Sequence, residues 1–132
     1  MMRNLILFSV AVGLSACVTV AKYDSMEYNH WVELHTTVLD AVDRNACASP
    51  TVMRNNVVPA LETHARTIQT YIRHRPLTSG YGETAGVIRK QIVEMGVSYS
   101  KGDPSTTYCN TKLKTLGESI EKMLTVEGER LE

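Results

Sequence analysis

The hydrophobic and polar positions of the chain fall into four stretches with helical spacing. Residues three or four apart share one face of an α-helix, so apolar residues that recur at this spacing mark its buried side. The pattern predicts helices from Tyr23, after Ser49-Pro50, from about Glu83 to Ser100, and after Asp103-Pro104. Apolar alternation with a period of two never extends beyond a few residues, so the sequence predicts no strand.

The first predicted helix carries an unusually wide apolar stripe. A helix that docks on one core needs a stripe of about 100°, whereas this one covers about 160°. Its centre consists of Trp31, Leu34, Val38 and Val42, and its flank consists of Tyr28, Val32 and Leu39. Either the flank packs on a second neighbouring helix, or it is a docking face for a protein partner.

The other three helices each have one apolar face. The second carries Val57, Leu61, Ala65, Ile68 and Ile72; the third carries Ala85, Ile88, Ile92, Met95 and Tyr99; the fourth carries Cys109, Leu113, Leu116, Ile120, Met123 and Leu124. Val93 and Val97 lie opposite the apolar face of the third helix and are predicted to be exposed. Together the patterns predict an all-α fold, a four-helix bundle of up-down-up-down topology.

Capping residues and prolines set the predicted boundaries. Asp24 or Ser25 is available to cap the first helix, and Ser49 and Asp103 each precede a proline that suits the first helical position. Pro59 interrupts the second helix, where it should push Val58 toward extended geometry and cause a kink or a fresh start. Pro76 stops this helix, and residues 77–82 form a linker rich in Gly and Ser.

The first seventeen residues indicate export and lipid modification. Arg3 precedes an apolar run of ten residues, which is too short for a permanent membrane helix, and Leu14-Ser15-Ala16-Cys17 follows. This start resembles that of bacterial lipoproteins, in which the peptidase cleaves before the cysteine and the cysteine receives lipid. The resemblance implies a signal peptide over residues 1–16 and lipidation of Cys17. Val18 in place of an aspartate then implies the outer membrane. The alternatives are an ordinary secretory signal or an N-terminal membrane helix.

The cysteines fit an exported protein. If Cys17 carries lipid, Cys47 and Cys109 remain, and they fall at the same end of the predicted bundle, because one ends helix one and the other begins helix four. We therefore expect a disulfide between them, which would stabilise the fold by roughly 4 kcal/mol on the chain-entropy account. Two free buried thiols and an intermolecular bridge are the alternatives.

Charge excludes some partners. The chain has 14 basic and 14 acidic residues, and removal of the leader takes away only Arg3, so the mature chain has a net charge of −1. A nucleic-acid partner is not expected, because such proteins generally present a basic face. The nearest approach to one is Arg66, Arg73, His74 and Arg75, which is more typical of a solvated helix end.

No pattern for an enzyme or a cofactor is found. Glu27 and His30 have the Glu-x-x-His spacing of di-iron bundles, but no second copy exists, and no metal site is predicted. A serine elbow and a phosphate loop are also missing from the sequence. A ligand-carrier function would need a pocket lined by His35, His64 and Tyr71. The sequence therefore predicts a non-enzymatic protein without a cofactor.

The layout of the chain resembles the all-helical pilotins of type II secretion systems. The resemblance lies in the Leu14-to-Cys17 lipobox, in Arg44-Asn45-Ala46-Cys47 at the end of helix one, and in the stretch from Gly102 to Asn110 that opens helix four. The lipobox and the helical patterns together predict a signal peptide over residues 1–16, a lipidated tether over 17–22, a four-helix domain over 23–127 and a tail over 128–132.

The resemblance also implies a function. A pilotin binds the C-terminal segment of a secretin and carries it to the outer membrane through its lipid anchor. The expected protein is a monomer that faces the periplasm and binds this segment as an amphipathic helix on Tyr28, Val32 and Leu39. The alternative is a phage-encoded or envelope lipoprotein, structural or excluding other phages, with a periplasmic protein partner.

Overall fold

The computed structural model describes residues 24–74 and 79–129, which form four helices. We label them α1 (Ser25–Asp43), α2 (residues 50–73), α3 (Ser79–Lys101) and α4 (Thr106–Glu129), and a 3₁₀ turn (Ala46–Ala48) joins α1 to α2. These two ranges contain no strand. The predicted signal peptide, Cys17, the predicted tether over 17–22, Pro76, Leu77 and residues 130–132 lie outside the described residues.

The four helices enclose one hydrophobic core, which confirms the predicted fold class. α1 packs on both α2 and α4, and α3 packs chiefly on α2. Almost every apolar position that the pattern assigned to α2, α3 and α4 is buried; Val57 and Leu124 are partly buried at the edge of the core. None of the helices in the described ranges is long and apolar enough to cross a membrane.

The predicted disulfide is present. Cys47 lies in the 3₁₀ turn and Cys109 in the first turn of α4, and their Cα atoms are 5.6 Å apart. Both side chains are buried in the core cluster. The bond therefore joins the end of α1 to the start of α4 as expected, and the two alternatives, free thiols and an intermolecular bridge, do not occur.

The start and the end of α1 follow from local chemistry. The Asp24 side chain accepts hydrogen bonds from the backbone N–H groups of Met26 and Glu27, at 2.9 and 3.1 Å. This satisfies two of the donors that a helix start leaves unpaired. At the other end Asn45 has a φ of 53°, in the left-handed region that asparagine tolerates better than most residues. The chain thus turns sharply into the segment that carries Cys47.

The expectation for Pro59 was wrong in detail. Val58 has φ −60° and ψ −46°, which is helical geometry, so α2 neither breaks nor restarts there. Instead residues Met53–Val57 form a π-turn, and the N–H of Val58 donates to the carbonyl of Met53. The wide turn takes up one extra residue of α2 directly before Pro59.

Three further boundaries differ from those expected. α3 begins at Ser79, so it includes residues 79–82 of the predicted linker. α4 is capped by Ser105, whose hydroxyl accepts from the N–H of Tyr108 at 3.1 Å, and not by Asp103. α4 continues to Glu129, into the segment that the sequence assigned to a tail. The Ser49 cap of α2 is confirmed, with the Val52 N–H at 3.3 Å.

Asp103 instead takes part in a contact between α2 and the end of α3. Arg54, in the π-turn, donates from Nε to the carbonyl of Tyr99 at 2.7 Å and from Nη2 to the carbonyl of Gly102 at 2.8 Å. The same Nη2 lies 2.5 Å from Asp103 Oδ1. A helix end leaves such carbonyls without partners. Arg54 therefore caps α3 from a neighbouring helix and fixes the loop that leads to α4.

Candidate docking surface on helix α1

Two apolar stripes run side by side along α1. The buried stripe consists of Glu27, Trp31, Leu34, Val38 and Ala41. The second stripe follows it by one residue and keeps the same spacing of four and three; we call it the flank stripe, and it consists of Tyr28, Val32, His35, Leu39 and Val42. One residue is 100° of helix rotation, so the flank stripe lies beside the core and not within it.

Much of the flank stripe is exposed. The exposed fraction is 36% for Val32, 47% for Leu39 and 49% for Val42, whereas Tyr28 and His35 are partly buried. The interpretation that this flank packs on a second neighbouring helix therefore does not hold for Val32 and Leu39 in the described part of the chain. The assignment of Val42 to the core was also wrong, since Ala41 takes the buried position at that turn.

The flank stripe lies on the α4 side of α1. On the other flank of α1, Glu33 lies 3.8 Å from His64 of α2, which shows that α2 is on that side. On the α4 side, a Cβ placed on Gly117 would lie 3.6 Å from Val38. The missing side chain of Gly117 lets the two helices approach closely at this point.

The adjacent flank of α4 is polar. By helical spacing Asn110, Lys114 and Glu121 share the flank of Gly117, and all three are exposed. The α1 flank stripe and this row of α4 therefore form a strip of surface with an apolar side and a polar, charged side. This arrangement suits an amphipathic helix, whose apolar face would cover the valines and the leucine while its polar edge meets α4.

A second set of exposed apolar residues lies on α3. Val87, Val93 and Val97 are 56%, 45% and 46% exposed. By spacing Val87 and Val93 lie about 120° apart around the helix, so these residues do not form a continuous stripe. The prediction that Val93 and Val97 are exposed is confirmed, but the surface around them is less suited to docking than the flank stripe.

Two of the four histidines, His30 and His64, lie at the contact between α1 and α2. The Nδ1 atoms of His30 and His64 each lie 3.8 Å from the same oxygen of Glu33, and the rings of His30 and Tyr71 meet edge to face at 5.6 Å. Within residues 24–74 and 79–129, no three His, Cys, Asp or Glu residues form a group that could hold a metal ion.

The pocket that a ligand carrier would need is not formed by the three expected residues. Tyr71 lines a concavity of the surface with Arg66, Thr67, Thr70 and His74, and neither His35 nor His64 is among these residues. Another concavity lies between the end of α1 and the start of α2. The residues around it include the Asp40–Arg44 ion pair and the small apolar residues Ala41, Ala46 and Ala60.

Sequence reasoning missed one polar residue in the core. Glu27 is fully buried, one helical turn before Trp31. The signal was present in the spacing, because Glu27 continues the buried stripe toward the start of α1. A carboxyl group at a core position is rare, and a hydrophobic pattern alone gives no reason to bury it.

Comparison with known proteins gave no further identification. No protein-family model, no curated protein and no solved structure matches this chain.

Proposed function

We propose that this protein is a non-enzymatic, lipid-anchored pilotin that binds the C-terminal segment of a secretin and brings it to the outer membrane. The flank stripe of α1 is the observation that carries the proposal. The bundle already has a complete hydrophobic core, and the flank stripe adds an exposed apolar surface that runs along α1. The lipobox ending at Cys17 supplies the anchor, and the bundle with its disulfide has the layout implied by the resemblance.

The size of the strip fits one helix of a partner. Tyr28 and Val42 are fourteen residues apart, which is about 21 Å along the helix axis at 1.5 Å per residue. A partner helix of about four turns would cover this length, and residues at i, i+3, i+4 and i+7 would contact the strip. The Lys114 and Glu121 side chains on α4 would set the orientation of the partner through its charges.

Peptide binding by surface variants tests the site. The probe is a synthetic peptide with the C-terminal sequence of the secretin encoded in the same genome. Leu39→Asp and Leu39→Lys should each weaken binding by about 10-fold to 100-fold, the equivalent of losing one buried leucine. Val93→Asp makes a matched change on α3 and should leave the affinity unchanged.

Two other outcomes of the peptide-binding assay would contradict a site on α1. Loss of binding in Val93→Asp, with Leu39→Asp unaffected, would move the site to α3. Equal binding by all variants would remove both surfaces from the site. Far-UV circular dichroism and urea denaturation of each variant show whether the bundle remains folded, and the lysine variant protects the test against an effect of negative charge near the end of α1.

A pull-down from detergent-solubilised envelopes tests the partner. The wild type should recover a secretin, and Cys17→Ser should leave secretin multimers in the inner membrane because the protein loses its lipid. Recovery of a different periplasmic protein would favour the alternative, a structural or exclusion lipoprotein. Mass spectrometry that finds residues 1–16 retained and Cys17 unacylated would contradict the anchor itself.

A further inference from the structure

The end of the bundle where α1 begins is also the end where α2 stops. The hydroxyl group of Tyr71 donates a hydrogen bond of 2.6 Å to Asp24 Oδ2. Asp24 is the cap of α1, and Tyr71 lies in the last turn of α2. The start of the folded domain and the C-terminal turn of α2 are therefore in direct contact.

The C-terminal part of α2 is basic. From Thr63 to Pro76 the sequence contains three arginines and two histidines and no acidic residue. Arg66, Arg73 and His74 are all exposed. Arg66 and Arg73 are seven residues apart, so they lie on one face of the helix. Two acidic residues lie near this end of the chain's helices. Asp24 accepts the hydrogen bond from Tyr71, and Glu83 is the first acidic residue of α3 and is exposed.

Chain length places this end near the membrane if Cys17 is lipidated. Six residues lie between Cys17 and Asp24, and the seven steps from one Cα to the next span at most about 25 Å. α1 itself has 19 residues and is about 28 Å long at 1.5 Å per residue. The start of α1 and the last turns of α2 can thus reach the headgroups, and Arg44, at the far end of α1, is held away in an upright bundle.

We propose that Arg66, Arg73 and His74 form a membrane-docking surface that binds the phosphate groups of anionic phospholipids and so orients the bundle on the bilayer. This inference rests on the lipid anchor of the proposed function. Basic residues beside an anionic surface each contribute about a fivefold gain in binding. One acyl-linked residue fixes the position of the chain but not its orientation; the basic surface supplies the second contact.

Orientation matters for the proposed partner. The flank stripe runs along the side of α1, between α1 and α4, and not on the α2 flank. In an upright bundle that stands on the end where α2 stops, this stripe runs along the side and stays clear of the lipid. The membrane-docking surface would thus keep the flank stripe accessible to a secretin segment.

Arginine modification in vesicles tests the inference. The full acylated protein is reconstituted in vesicles of phosphatidylcholine alone or in vesicles that also contain phosphatidylglycerol. It is then treated with phenylglyoxal, and the modified arginines are quantified by mass spectrometry. Arg66 and Arg73 should react about fivefold more slowly in the anionic vesicles, and high salt should remove the protection. Arg44, which is 77% exposed at the far end of α1, is the internal control.

Equal rates for all three arginines in both kinds of vesicle would overturn the inference, as would protection of Arg44 to the same degree. The double variant Arg66→Gln/Arg73→Gln should lose the effect of phosphatidylglycerol on His74 modification by diethyl pyrocarbonate. Its affinity for the secretin peptide, measured in neutral detergent, should equal that of the wild type. If the wild type does not bind the secretin peptide at all, the proposed function is contradicted, whereas the result with anionic vesicles still holds.

Discussion

Tyr71 and Asp24, 47 residues apart in sequence, are joined by a hydrogen bond of 2.6 Å between the tyrosine hydroxyl and Asp24 Oδ2. The other oxygen of the same carboxylate caps α1. One aspartate thus holds the start of α1 and fastens it to the last turn of α2. Removal of the tyrosine hydroxyl should therefore affect two helices at once.

Tyr71→Phe should lower the free energy of unfolding by about 1 kcal/mol, the usual net contribution of one hydrogen bond. Hydrogen exchange should increase at the first turn of α1. Urea denaturation and amide exchange measure the two effects. Unchanged exchange at Met26 and Glu27 would mean that the cap does not depend on Tyr71.

The same hydrogen bond predicts a dependence on alkaline pH. The bond to Asp24 raises the pKa of Tyr71 above its usual value of 10.0, with smaller contributions from burial and from the negative charge of Asp24. A raised pKa in the folded state means that this stabilisation is complete below the pKa of the unfolded chain and is lost as pH rises through the folded value. The wild type should thus lose more stability above pH 10 than Tyr71→Phe, as denaturation at several pH values would show. Tyr99, whose pKa is raised chiefly by burial, contributes to both proteins equally.

The disulfide should supply a large part of the stability. The 62-residue separation of Cys47 and Cys109 corresponds to about 4 kcal/mol on the chain-entropy account. The double variant Cys47→Ala/Cys109→Ala should lose about this amount in urea denaturation. Reductant should destabilise the wild type similarly and should leave the double variant unchanged; a large effect of reductant on the variant would show that the loss has another source.

Arg54→Met should destabilise the protein by roughly 2 kcal/mol, because it leaves the carbonyls of Tyr99 and Gly102 without their charged donor. Asp103→Asn should cost less than about 1 kcal/mol, since 67% of the Asp103 side chain is exposed and exposed ion pairs contribute little. Denaturation of both variants compares the two contributions. Equal losses would mean that Arg54 acts mainly through Asp103 and not through the end of α3.

The glycines of α3 should respond differently to alanine. Gly86→Ala should stabilise the protein by up to about 1 kcal/mol, because the nearest atom to the new Cβ would be Gln69 Nε2 at 3.8 Å. At Gly96 a Cβ would lie 2.5 Å from Glu62 Oε1 and 3.4 Å from Val58 Cγ1. Gly96→Ala should therefore gain less than Gly86→Ala, or lose stability.

Glu62→Ala tests whether the Glu62 carboxylate is what limits the gain from Gly96→Ala. In this background Gly96→Ala should recover part of the missing stability, because the carboxylate no longer has to move. If Gly96→Ala stabilises the wild type as much as Gly86→Ala does, the close approach between α2 and α3 imposes no constraint.

Periodicity predicted much of this fold because its elements are long helices, each with a regularly spaced apolar face toward the core. The positions of Cys47 and Cys109 followed from helix order alone. Errors arose where spacing allows neighbours to exchange roles. Val42 and Ala41 are adjacent, and a purely hydrophobic criterion chooses the larger residue, whereas the smaller one faces the core at that turn.

Local signals were weaker than tertiary contacts at the boundaries. Asp103 precedes a proline and resembles a cap, but Arg54 engages it, and Ser105 caps α4 two residues later. The width of the apolar stripe on α1 identified its flank. The exposure of that flank could not be predicted, because the sequence does not show how α4 packs against α1. That choice depends on contacts such as Val38 with Gly117.

The π-turn of α2 has the form of a single inserted residue. If residues 50–73 instead formed a uniform α-helix with every residue kept, everything before the wide turn would be rotated by about 100° relative to the rest. Arg54 would then swing off the end of α3, and the 3₁₀ turn that carries Cys47 would change its direction toward Cys109. The irregular turn therefore keeps two long-range contacts in register with α2: that of Arg54 with the end of α3, and the disulfide.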